Sequence, residues 1–217
     1  MHWGKLLLCL MLFGILGVSS AQAQHAIEVT PFGGVRFGGV IDINTADVDY
    51  LPIHSSSNFG ATIDYTVWPG FQAELLWSEQ PTFLSIHSIS SGETIHLSSA
   101  NLNTYNVGFL YQFRPAEAKL HPYIAAGIGV THFSAGQLTG KNFLNFSNRL
   151  SYNFGLGAKY YFNDHFGIRV ESRWLPSRTT AGTGQYCDPF SGFCSPVRTN
   201  NHAEQGSADI GLIIRFH

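Results

Sequence analysis

Ser207-Ala208-Asp209-Ile210-Gly211-Leu212-Ile213-Ile214-Arg215-Phe216 alternates with a period of two. Ala208, Ile210, Leu212, Ile214 and Phe216 share one parity, and Ser207, Asp209, Gly211, Ile213 and Arg215 the other. A strand sends successive side chains to opposite faces, so this stretch predicts a strand with one apolar face and one charged face. A soluble β-protein turns the apolar face inward. A membrane barrel turns it toward lipid and keeps the polar face for the lumen.

Seven further segments repeat the pattern, at about 27–37, 58–67, 71–78, 101–113, 122–133, 149–162 and 166–174. Pro31 beside Gly33-Gly34 predicts a bulge or bend in the first of them. The links sort by length. Those after the second, fourth and sixth strands are short: 68–70, 114–120 and 163–165. Those after the first, third, fifth and seventh are long and polar: about 40–57, 79–100, 135–148 and 175–203. An even number of strands with short turns at one end and long loops at the other is the pattern of an outer-membrane barrel. A Greek-key sandwich does not sort its loops this way.

The composition agrees. The 217 residues are 14% aromatic and only 12% charged, against about 25% charged in an ordinary soluble domain. A net charge of -2 supplies no basic footprint for nucleic acid. Lys5 precedes an uncharged apolar run at 6–18, and Ser19-Ser20-Ala21-Gln22-Ala23 ends in an Ala-x-Ala pattern. Residues 1–23 therefore read as a signal peptide and 24–217 as one barrel domain. Beyond the leader no apolar run is long enough for a membrane helix. Cys187 and Cys194, separated by six residues in an exported chain, read as a local disulfide.

Three features turn the apolar face outward. Its rings gather near strand ends: Phe113, Phe162 and Phe216 toward the short turns, Trp77 and Trp174 toward the long loops, as interface anchors would. The opposite parity is rich in glycine, which makes room for long side chains in a narrow lumen. That parity also carries Glu28, Asp64, Glu74, Glu171 and Asp209 against Arg36, Lys159, Arg169, Arg173 and Arg215, five acids and five bases. Enclosed charges require such pairing. The expected fold is all-β: an eight-stranded antiparallel up-and-down transmembrane β-barrel. Glu74, Lys159, Arg169, Glu171, Arg173, Asp209 and Arg215 are expected to form a luminal charge network.

The stretches His121-Pro122-Tyr123-Ile124-Ala125-Ala126-Gly127-Ile128-Gly129-Val130, Phe154-Gly155-Leu156-Gly157-Ala158-Lys159-Tyr160-Tyr161-Phe162 and His165-Phe166-Gly167-Ile168-Arg169-Val170-Glu171-Ser172-Arg173-Trp174 carry a resemblance. The chain resembles the outer-membrane β-barrel superfamily of OmpA-like, OmpX-like and OmpW-like proteins. Phe216 near the terminus is similar to the assembly signal of such barrels, although His217 follows it. The resemblance implies the outer membrane as location, with periplasmic termini, surrounding lipid and the barrel-assembly machinery as partners. It implies no particular activity, because one fold hosts many.

Few residues suggest chemistry. His132 and Ser134 share a strand face, the spacing a lipid A deacylase-like pair would need, but no acid lies between Glu117 and Asp164 to orient the base. Asp42, Asp47 and Asp49 do not match the spacing of a calcium loop. No catalytic residue, metal site or cofactor is expected. The loop at 175–203, with Tyr186, Phe190 and Phe193 around the cysteines, is the candidate contact for an extracellular ligand. The expected role is structural or surface-interacting. A narrow pore or transporter for small or hydrophobic solutes is the alternative, and a lipid A-modifying enzyme a remoter one.

Overall fold

The computed structural model describes residues 26–44, 50–87, 94–113, 118–135, 148–179, 183–187 and 194–216. Expectations that rest on the leader, the acids Asp47 and Asp49, and Phe190 and Phe193 lie outside these residues. The described residues form eleven strands: β1 (Ile27–Gly38), β2 (Val40–Asn44), β3 (Tyr50–Pro52), β4 (Ser56–Trp68), β5 (Phe71–His87), β6 (Thr94–Gln112), β7 (Leu120–Ala135), β8 (Arg149–Tyr161), β9 (Phe166–Thr179), β10 (Thr183–Cys187) and β11 (Cys194–Phe216).

Eight of them, β1, β4, β5, β6, β7, β8, β9 and β11, pair in that order, each antiparallel to the next. Pairing of β1 with β11, from Ile27↔Phe216 to Gly38↔Gln205, closes the sheet on itself. The fold is an eight-stranded antiparallel barrel, and closure removes the exposed edges an open sheet would carry.

Two-residue periodicity sets the faces. Along β4 the side chains of Asn58, Thr62 and Asp64 are buried while Phe59, Ile63 and Tyr65 are exposed. Along β7, Tyr123, Ala125 and Thr131 are buried against exposed Ile124, Ile128 and Val130. The apolar residues thus form the exterior and the polar ones the interior, the inverse of a soluble protein. The expected anchors Phe113, Phe162 and Phe216 are exposed at the short-turn end and Trp174 toward the long-loop end, whereas Trp77, also exposed, stands nearer Phe71 than His87 on β5.

The turn Trp68-Pro69-Gly70 is tight because Gly70 takes φ +78, which a side chain would disfavour, and its carbonyl accepts from Gln112 N at 2.7 Å. Pro31 brings no bulge. The β1–β11 ladder skips from Val29↔Ile214 to Phe32↔Gly211 and resumes in the same register. A missing proline N–H removes a bond without adding a residue. The β8–β9 ladder skips likewise at Pro176, between Ser151↔Ser177 and Phe154↔Trp174.

The long links are shorter than the alternation suggests. β5 continues to His87 and β6 begins at Thr94, so most of 79–100 is strand. β9 runs to Thr179 and β11 starts at Cys194, so the 175–203 segment is largely strand extension plus β10. Past the lipid-facing band neither face needs to be apolar, and the alternation lapses while the backbone ladder continues. In the same region β2 pairs with β3 and with β11, and β10 pairs with β11. The β10–β11 register sets Cys187 directly opposite Cys194.

Candidate functional site

Arg169 on β9 lies across the lumen. Its Nη1 donates to Thr62 Oγ1 and Asp64 Oδ2 on β4, each at 3.0 Å. Its Nη2 donates to Glu74 Oε2 on β5 at 2.6 Å and Glu171 Oε2 at 2.8 Å. Its Nε donates to Tyr123 OH on β7 at 2.7 Å and to Glu171 Oε2 at 3.0 Å. Every N–H of the planar guanidinium fork has an acceptor, an arrangement a lysine could not make. The ring of Tyr123 lies 4.9 Å from the guanidinium carbon, and its hydroxyl donates to Glu171 Oε2 at 2.7 Å.

Arg173 stands four residues along the same face. It donates through Nη2 to Glu74 at 2.7 Å, through Nε to Glu171 Oε1 at 2.9 Å and through Nη1 to Asn153 Oδ1 at 3.0 Å. Lys159 on β8 uses its three protons on Glu28 Oε2 at 2.6 Å, Asp64 Oδ2 at 2.8 Å and Gln72 Oε1 at 2.7 Å. Glu28 Oε1 in turn accepts from Tyr161 OH at 2.8 Å and Arg215 Nη2 at 2.7 Å. Lys159 and Glu28 are both 0% exposed, whereas the Arg215 side chain, at 22%, marks the short-turn mouth. Four carboxylates (Glu28, Asp64, Glu74, Glu171) and four cations (Lys159, Arg169, Arg173, Arg215) give this set no net charge.

Glycines give this network its space. A Cβ at Gly157 would come 2.6 Å from the Tyr123 hydroxyl, so that ring requires a bare backbone beside it.

Of the residues the sequence nominates, Glu74, Arg169, Glu171 and Arg173 meet directly, and Lys159 and Arg215 join through Asp64 and Glu28. Asp209 does not join. Its Oδ1 accepts from Asn58 Nδ2 at 2.8 Å and its Oδ2 from Ser207 Oγ at 2.7 Å, and among the described residues it has no ion pair. One strand further round, Arg36 donates to Ser78 Oγ at 2.7 Å and Thr104 Oγ1 at 3.5 Å. Neutral contacts also occupy the long-loop half: Thr104 with Thr131 at 3.2 Å, Ser151 with Asn106 at 3.0 Å, and Gln205 with Gln80 at 3.0 Å.

Glu28 and Asp64 carry the polar parity, yet only register reveals that both meet Lys159. Tyr123 and Tyr161 were hidden by their type, because a ring in such a strand reads first as an exterior residue. His132 and Ser134 stand on the exterior face, exposed. The His132 Nδ1 meets the Asn148 amide oxygen at 2.9 Å, where a triad would place a carboxylate. No group of three or more metal-ligating side chains occurs among the described residues.

The family model described as "Outer membrane protein beta-barrel domain" matches residues 10–188. The chain belongs to this outer-membrane β-barrel family, and its place is the outer membrane. Among solved structures it is similar to the outer membrane protein OprG from Pseudomonas aeruginosa, with TM-score 0.65 and 14% identity over 90% of this chain and 99% of that one. It is similar also to Neisserial surface protein A, with TM-score 0.57 and 11% identity over 89% and 100%. The outer membrane protease OmpT from Escherichia coli aligns at TM-score 0.50 and 7% identity over 92% and 99%. No curated protein matches significantly. At these identities the likeness is one of fold.

Proposed function

We propose that this is a structural, non-enzymatic outer-membrane barrel with a closed lumen and a surface-interacting outer end. The observation that carries the reading is Arg169, which ties β4, β5, β7 and β9 together through one side chain. An eight-stranded interior is just wide enough to be filled by side chains, and here paired ions fill it. In this reading residues 1–23 are a cleaved leader, both termini face the periplasm, and the barrel-assembly machinery inserts the mature chain. The long-loop end then faces outward. Its segment at 175–203 is the contact for an extracellular ligand, pinned by a Cys187–Cys194 disulfide that thiol titration before and after reduction would count.

Planar-bilayer recording tests the closed lumen. The wild-type protein should show no discrete conductance steps. Steps that shift on Arg169→Gln or Glu171→Gln would instead establish the narrow-pore alternative. For the absence of enzymatic activity, lipid A from cells with and without the protein should give identical acylation by mass spectrometry.

A further inference from the structure

Among the described residues the exterior carries a groove of ≈ 630 Å³. This lies within the roughly 300–1,000 Å³ range of small-molecule sites. Its low points are the small residues Ala126, Ser172 and Gly206, and its walls include Phe109, Phe154 and Trp174. Register explains the course. Ala126 sits between Phe109 on β6 and Phe154 on β8, Phe154 is opposite Trp174 on β9, and Trp174 is opposite Gly206 on β11. The groove follows these cross-strand neighbours from Phe71, beside a short turn, to Phe37, near the long-loop end of β1.

The walls are braced. Phe71 stacks on Phe109 at 5.2 Å and 26°, and Phe154 on Trp174 at 5.7 Å and 28°. At the far end the Phe37 ring lies over Gly206, where a Cβ would come 2.5 Å from a ring carbon. Ser172 is the polar residue of the floor, and its hydroxyl donates into the wall, to Ser207 O at 3.1 Å. A polar ligand would therefore find no free side-chain hydroxyl on that floor.

We propose that this groove seats one acyl chain of an outer-membrane lipid, held more tightly than the chains around the rest of the barrel. The groove lies on the face that meets hydrocarbon. In that medium association has no hydrophobic drive and is decided by packing. An apolar trough between aromatic walls offers a flexible chain contacts on several sides, whereas a convex aromatic surface offers them on one. A second copy of the barrel could fill the trough only by presenting a matching ridge.

Trp174 lines the groove, while Trp77, exposed on β5 and edge-on to Phe59 at 6.4 Å, lies outside it. The pair provides an internal control. Two variants each keep one of these tryptophans, the others being changed to phenylalanine (Trp3→Phe and Trp68→Phe with either Trp77→Phe or Trp174→Phe). Each is folded into phosphatidylcholine vesicles containing increasing fractions of mid-chain-brominated phosphatidylcholine. The Trp174 fluorescence should be quenched with an apparent lipid affinity severalfold above that at Trp77. Adding Ala126→Phe should abolish the difference while heat-modifiable gel migration still reports a barrel. Ala126→Leu, a smaller filler, should reduce it and serves if the larger ring prevents folding. Equal quenching at the two positions overturns the proposal, as does a Trp174 preference that survives both substitutions. Trp174 less quenched than Trp77 together with a cross-linked dimer overturns it in favour of a second copy.

Discussion

Toward the short turns, Lys159 ends on two carboxylates and an amide, while toward the long loops Arg36 ends on two hydroxyls. The first half of the lumen is a lattice of opposite charges spanning strands distant in sequence. The second is marked by neutral hydrogen bonds, and there the cation Arg36 and the anion Asp209 are each held by uncharged partners. The two halves share one fold and one alternating pattern, so the difference is a matter of which polar side chains were placed where. Breaking an enclosed ion pair strands a charge, at a cost of about 3–5 kcal/mol, whereas a neutral hydrogen bond contributes about 0.5–1.5 kcal/mol. The ion-paired half should therefore be rigid and intolerant of change, and the neutral half forgiving.

The harshest test of that contrast is Arg169→Met. It removes the shared partner of Asp64, Glu74 and Glu171 and leaves Lys159 and Arg173 to neutralise three acids between them. Stability should fall by about 3–5 kcal/mol, read as the guanidinium unfolding midpoint in detergent micelles by tryptophan fluorescence. A loss below about 1 kcal/mol would mean that water already screens the network.

Glu171→Gln is milder. The amide keeps the shape and one acceptor oxygen but withdraws the charge that Arg169 and Arg173 share. Hydrogen bonds to charged groups are worth roughly 1.5–3 kcal/mol, and the same unfolding curve should show a loss in that range. A loss equal to that of Arg169→Met would indicate that the network fails as a unit rather than bond by bond.

How far this contrast could be read from sequence depends on which rule each feature obeys. Parity is local, so residues such as Asp64, Glu74 and Arg173 sort to the interior without knowledge of any partner. Pairing is not local. Lys159 lies 131 residues from Glu28 and 95 from Asp64, and nothing near Lys159 selects them. For the same reason parity groups Asp209 with the ion pairs, although the side chains it bonds, Asn58 and Ser207, are neutral. Strand ends were also illegible: the alternation records contact with lipid, and β5 and β11 outlast that contact by many residues. Tyr123 and Tyr161 misled because a ring in a barrel strand has two homes, and only the glycine opposite, Gly157 in the case of Tyr123, marks the inner one.

Asp209→Asn should have the smallest effect, and it bears most closely on the boundary between the halves. Asp209 is the direct cross-strand partner of Glu171 on β9, both side chains facing the lumen. Like charges placed opposite each other are destabilising. Glu171 meets this by facing two arginines, and Asp209 by turning to Asn58 and Ser207. Asparagine at 209 keeps an acceptor for one of those donors and relieves the repulsion, while Arg36 loses a nearby negative charge. These changes oppose each other, so the unfolding midpoint should move by less than about 1 kcal/mol in either direction. The combination with Glu171→Gln sharpens the result. If the acids repel, the double variant should be less stable than the sum of the single effects predicts, because the repulsion can be relieved only once. Strict additivity would show that the hydrogen bonds to Asn58 and Ser207 already insulate the neutral half from the charged one.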